Sequence, residues 1–261
     1  MNHLQLNGVA ILRKIPLLVK TCWNTWFEMV FYTNGHLQYW KDFFNEELSL
    51  DSHNETLKSI TSLLNSQIKY NLITIYLSFI TIFAKQFVQD LDFFQIQNKP
   101  IFPYIESRLA NLTAYIQNNC TADFFGGELE GQITSLGFNP DEFYPIFQNA
   151  FKIAYDKFSI HIPQHPGRAL FKACQIFNPF LFLTLNALRK DIHHYSTIIE
   201  LQNSSNELII EWSIYCNFEY YIVSEEIDLN DYWLGLVQQL LLLSKIALDY
   251  IWLPISSCSV E

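Results

Sequence analysis

Paired cysteines, glycine-rich turns, charge and long uninterrupted apolar runs are what this 261-residue sequence has little of, and each shortage removes a class of function. The five cysteines, Cys22, Cys120, Cys174, Cys216 and Cys258, are odd in number, widely spaced and never arranged C-x-x-C. That spacing argues against a zinc site or a dithiol redox centre, and the thiols read as small buried hydrophobes. Only eight glycines occur; those at 126, 127 and 131 do not make G-x-G-x-x-G, and no G-x-x-x-x-G-K-[ST] is present, so a phosphate cradle is unsupported. The longest uncharged stretch, Tyr70 to Ala84, is fifteen residues and carries Asn71. A membrane span needs about twenty apolar residues, so a core helix is expected there. At the opening, Arg13 and Lys14 sit inside the apolar run and no charged, apolar and small-residue regions follow in secretory order. A cytoplasmic, non-secreted protein is therefore expected, with the sequons at Asn54, Asn111, Asn119 and Asn203 arising by chance.

What the sequence does have is apolar bulk. Half of it is hydrophobic and 16% aromatic, while only 16% is charged, against about 25% in ordinary soluble domains. Such a balance supplies a core and implies further surface buried against the rest of the chain, a partner or lipid. The net charge of −10 is unevenly placed: residues 1–110 carry nine basic and nine acidic side chains, residues 111–261 seven and seventeen. An acidic second half without a Lys/Arg cluster repels phosphate backbones, so direct nucleic-acid binding is not expected.

Periodicity organises the chain. From Gly8 to Tyr32, Arg13, Lys14 and Lys20 punctuate an apolar helical pattern that predicts a helix docked on the protein, with peripheral membrane contact as the alternative. Asp51 or Ser52 offers a cap, and Leu57, Ile60, Leu64, Ile68, Leu72, Ile75, Phe79 and Phe83 recur at threes and fours. They predict one long helix, or two end to end, from about Asn54 to Phe94. Pro100 and Pro103 end it and divide the chain into an apolar helical segment, 1–98, and an acidic α+β domain, 105–261. Within the latter, helices are expected over Tyr104–Asn118, after the Asn139-Pro140 cap, from Arg168 to Phe177, and from Pro179 to about His193. From Thr197 apolar and polar residues alternate, Asn203 to Asn206 supply a turn, and Leu208 to Tyr215 returns, which predicts an antiparallel hairpin near 197–215. A third strand at Tyr220 to Ser224, a helix from Asn230 to Leu248 and a last strand from Tyr250 to Ile255 complete the expected small sheet. The fold class expected is α+β.

The order of these segments carries a resemblance. Leu136-Gly137-Phe138-Asn139-Pro140 opens a helix, Gly167-Arg168-Ala169-Leu170 to Ile176-Phe177-Asn178-Pro179 forms a second, and Leu185-Asn186-Ala187-Leu188 sits in a third, before the hairpin, the long helix and Leu253-Pro254. Over about residues 130–256 this resembles the N-terminal ligand-sensing domain of AraC-type transcription regulators. The chain departs from that pattern in lacking the basic helix-turn-helix pair and in carrying a hundred additional residues in front. The resemblance implies a sensing or docking fold without a DNA-binding output.

No catalytic or metal constellation emerges. His161 and His165 have helical metal-pair spacing, but Pro163 and Pro166 disfavour a regular helix and no third ligand is near; His193 and His194 are adjacent and diverge on a helix. Glu128 and Glu130, and Glu225, Glu226, Asp228 and Asp231, read as solvated loops rather than calcium or acid–base sites. Trp212, Tyr215, Tyr220, Tyr221, Trp233 and Trp252 are candidates to line an apolar pocket beside the hairpin; of these Trp212, Tyr215, Tyr220, Trp233 and Trp252 form the candidate ligand site. The expectation is a regulatory or interaction protein without enzymatic activity or cofactor, sensing a small hydrophobic ligand and binding a protein partner or itself. The alternative is an adaptor in a larger assembly or at a membrane surface. A sensor should hide its apolar surface in a pocket, whereas an adaptor should expose it.

Overall fold

The computed structural model describes residues 23–184, 191–218 and 227–255. Among them every regular element is helical. The first four α-helices are Trp23–Gly35 (α1), Leu37–Leu50 (α2), Glu55–Asn65 (α3) and Gln67–Phe94 (α4). Next come Ile105–Asn119 (α5), Gly127–Ser135 (α6), Tyr144–His161 (α7), Arg168–Cys174 (α8) and Pro179–Leu183 (α9). The last four are Ile199–Gln202 (α10), Asn206–Cys216 (α11), Leu229–Gly235 (α12) and Leu241–Ile251 (α13).

The expected α+β class is therefore corrected: the described residues contain no strand and no sheet. The hairpin near 197–215 is instead two helices. Ser205 accepts from Leu208 N through its hydroxyl at 3.2 Å and starts α11, whose buried residues Leu208, Trp212 and Tyr215 fall at steps of four and three. The alternation that reads as a strand arises because Ile209, Ile210 and Ile214 are apolar too, yet exposed. The last strand is likewise absent, since Tyr250 and Ile251 end α13 and Trp252 to Ile255 follow as turn and irregular chain. The expected third strand, 220–224, lies outside the described residues, as do positions 185–190 of the helix drawn to His193.

Two long helical patterns are each interrupted, one by a single residue and one by five. Ser66 leaves helical geometry (φ −80°, ψ 113°) and separates α3 from α4, while Asn54, rather than Asp51 or Ser52, caps α3 by accepting from Thr56 N and Leu57 N. Residues 236–240, ending on Leu240 (φ −133°, ψ 61°), separate α12 from α13.

The chain forms two compact units, one from Met1–Leu91 with Asn118–Phe151, the other from Asp92–Gln117 with Lys152–Glu261. In the first unit α2 and α3 lie together around Leu37, Trp40 and Leu64. Farther along, Phe79 of α4 stacks on Phe147 of α7 with centroids 4.1 Å apart, and Phe125 and Phe151 meet Phe79 edge-on. Phe143, Phe147 and Phe151 are the buried line of this region, one residue in four, whereas Ile146 faces solvent. Gly126 (φ 93°) turns the chain into α6, and Gly137 (φ 87°) ends it, with Phe138 N donating to Ile133 O and Gly137 N to Thr134 O. That is the left-handed helix stop for which glycine is suited.

The second unit has a larger core. Ile105 and Leu109 of α5, Cys174, Ile176, Phe177, Phe182, Trp212, Tyr215 and Trp233 are buried together with Leu243, Ala247 and Ile251 of α13. Two buried ring donors tie it to successive carbonyls of one 3-10 turn: Tyr215 OH to Ile176 O and Trp233 Nε1 to Phe177 O, both at 2.8 Å. Each satisfies a polar group that burial would otherwise penalise by about 1–3 kcal/mol.

Candidate functional site

The residues expected to line an aromatic pocket divide three ways. Trp212, Tyr215 and Trp233 come together in the core of the second unit, where Tyr215 and Trp233 rings stand 5.2 Å apart and neither is accessible to solvent. Trp252 lies away from them on the surface, 44% exposed, its Nε1 donating to Asn230 Oδ1 at 3.1 Å. Tyr220 lies outside the described residues. Phe182 and Tyr195 rings fill the space beside Trp212.

The titratable candidates are equally dispersed. His161 ends α7, and His165 belongs to the turn that follows, where its Nδ1 accepts from Gly167 N and its ring stacks on Phe171. His193 and His194 are exposed in a 3-10 turn. Among the described residues no three His, Cys, Asp or Glu side chains converge as metal ligands. Cys174 is fully buried, and burial pushes its thiol up to about 12, which leaves it protonated and a poor nucleophile at neutral pH. Of the expected loop acids, Asp228 caps α12, accepting from Asn230 N and Asp231 N, and Glu130 holds a turn. Glu130 Oε1 accepts from Phe125 N at 2.9 Å and from Tyr144 OH at 3.0 Å, closing the glycine turn onto α7. Burial first, and this hydrogen bond second, push the Tyr144 phenol up to about 12.

The second unit carries an open groove of about 780 Å³. Its apolar wall includes Phe93, Ile101, Phe180, Leu181 and Leu229, and its polar wall Lys99, Tyr104, Ser107, Arg108, Asn178 and Asp228. Sequence reasoning missed this site because Arg108, Asn178 and Asp228 come from three segments with no local signature. Asn178 is wholly buried; its Oδ1 accepts from Phe180 N and Leu181 N to cap α9, and its Nδ2 has no hydrogen-bond partner. The Arg108 guanidinium lies over the Phe93 ring, 4.4 Å from its centroid. Nearby, Arg168 and Glu106 form a largely buried two-point ion pair, Nη2 to Oε1 at 2.9 Å and Nε to Oε2 at 2.5 Å.

Apolar surface is exposed on several helices. An eighteen-residue stretch of α4 has a mean hydropathy of 1.4, and 22% of it is buried. On α7, Ile146, Ile153 and Ile160 are exposed seven residues apart, and on α11 Ile209, Ile210 and Ile214 face outward. No protein-family model, curated protein or solved structure matches this chain.

Proposed function

We propose that this chain is a non-enzymatic interaction protein whose apolar helical faces are covered by another protein chain, a partner or a second copy of itself. The observation supporting this is α4, which has the apolar character of a core helix but little of its surface buried. A helix apolar on all sides is stable in water when its faces are covered, and each Å² removed from water stabilises by about 25 cal/mol. Ile68, 68% exposed, and Tyr76 stand on one stripe of α4 with half-buried Leu72 between them, four residues from each. Trp212, Tyr215 and Trp233, three of the rings expected to form a ligand pocket, are packed as core instead, which favours an adaptor over a sensor that hides its apolar surface.

Light scattering on the size-separated full chain tests the reading. At micromolar concentration the protein should self-associate, and the paired substitution Ile68→Glu, Tyr76→Glu should return it to monomer without loss of helical circular dichroism. A wild type that stays monomeric and soluble overturns self-association as what covers α4. A second reading is lipid contact, since α4 also meets the length and composition of a membrane-crossing helix. Co-sedimentation with phosphatidylcholine vesicles, lost in the same paired variant, distinguishes that case.

A further inference from the structure

We infer that the outer face of α11 and the start of α13 form a docking surface for a basic amphipathic helix of a protein partner. Ile210 and Ile214 stand one turn apart on α11, on the side away from its buried Leu208, Trp212 and Tyr215. Glu211, next to Ile210, accepts from Leu242 N and Leu243 N, which brings the start of α13 alongside. There Leu241 and Leu242 are exposed as well, and Ile210 and Leu241 each leave 60% of their surface in water. Four large aliphatic side chains thus stand around one carboxylate. Exposed apolar side chains scattered singly are ordinary, but grouped ones with a polar border mark interaction sites. All of them belong to the second unit, and none to the stripe of α4.

Charge decides what covers this surface. Residues 191–218 and 227–255 carry seven acidic side chains and one basic, Lys245. Exposed Glu207 lies one turn before Ile210 on α11, and exposed Asp249 follows Leu242 and Lys245 along one face of α13. Among the described residues none of the seven acids is in an ion pair. Glu207 is hydrogen-bonded to Ser205 and Glu211 to the backbone of α13, and neutral donors of that kind leave the negative charge in place. A second copy docked face to face would set these carboxylates against themselves, and an anionic lipid surface would meet the same repulsion. A partner helix with Lys or Arg along the edges of an apolar stripe answers both charge and shape, since its residues at spacings of three and four match side chains one turn apart. The eleven residues of α11 span about 16 Å, room for three turns of such a helix. The inference rests on the reading of this chain as an interaction protein. Self-association is read by scattering on α4 variants and docking by peptide binding on α11 variants, so either can fail alone.

Fluorescence anisotropy of two labelled model helices titrated with the full chain provides the test. Both carry leucines at spacings of three and four, and their remaining positions are all lysine in one and all glutamate in the other. The lysine peptide should bind at least about tenfold tighter than the glutamate peptide. The paired substitution Ile210→Asn, Leu241→Asn should weaken the lysine peptide about tenfold, because it removes two apolar anchors from the face and nothing from the core. Glu207→Gln leaves the apolar face intact and should weaken the same peptide about threefold, which keeps the test decisive where the paired variant perturbs folding. No binding of the lysine peptide, equal binding of the two peptides, or full affinity in the folded variants overturns the proposal.

Discussion

Glu211 does for α13 what no residue of α13 does for itself. Leu240, at the cap position, offers no side-chain acceptor, and Glu211 reaches from α11 to accept from Leu242 N at 3.2 Å and Leu243 N at 2.8 Å. Two unpaired helix donors and the positive helix end are answered by one carboxylate. Glu211→Ala is expected to lower stability by about 1–2 kcal/mol in urea unfolding, the range of a lost helix cap. Tyrosines give a second prediction at this scale. Burial raises Tyr115 to about 12, and burial followed by hydrogen bonds to Glu130 and Glu200 raises Tyr144 and Tyr250 to about 12, from an ordinary 10.0. Folding favours the neutral phenol, so this contribution is complete below pH 10 and is lost as pH rises toward 12. Ultraviolet titration should show three phenols ionising last in the native protein and with the others after unfolding. One local cap was legible: Asn139 ahead of Pro140 accepts from Asp141 N as its position implies, although it opens a 3-10 turn before α7, whereas Asn54 caps α3 where Asp51 or Ser52 was expected. Glu211 was not legible, because its partner lies thirty residues away.

At the scale of elements, the sequence was clear where apolar residues sit on one face and misleading where they sit on all. The pattern from 54 to 94 does form helices, and the single break at Ser66 comes from one extended residue, to which periodicity is blind. In α11, Leu208, Trp212 and Tyr215 already carried the helical spacing, but the isoleucines between them satisfied a strand alternation equally well. Ser205, read as part of a hairpin turn, was the helix cap that decides between the two. Far-ultraviolet circular dichroism of the peptide chain should accordingly show paired helical minima; a dominant sheet minimum would contradict the all-helical description. Gly137 marks an element boundary in the same way. A side chain there would meet nothing within 4 Å, so the cost of Gly137→Ala is conformational, from φ 87° alone. It should destabilise by about 1–2 kcal/mol.

For the whole molecule, local patterns say little about which segments share a core. Pro100 and Pro103 do interrupt the helices, yet the first unit takes back residues 118–151, and its central ring Phe79 finds partners in Phe125, Phe147 and Phe151. A fragment of residues 1–98 is therefore expected to lack cooperative thermal unfolding and to bind hydrophobic dyes, whereas the full chain should unfold cooperatively. The groove was invisible for the same reason, being assembled from residues that only tertiary structure brings together, while Trp212, Tyr215 and Trp233, which drew notice in sequence, became interior.

This interleaving also has a cost in time. During synthesis α4 emerges complete at residue 94, but the last of the rings that cover Phe79 arrives at 151. At about 5–20 residues per second, an apolar helix waits for roughly 3–11 s before its companions exist. For that interval the nascent chain offers a sticky surface to the cell, and the protein's yield depends on what shelters it.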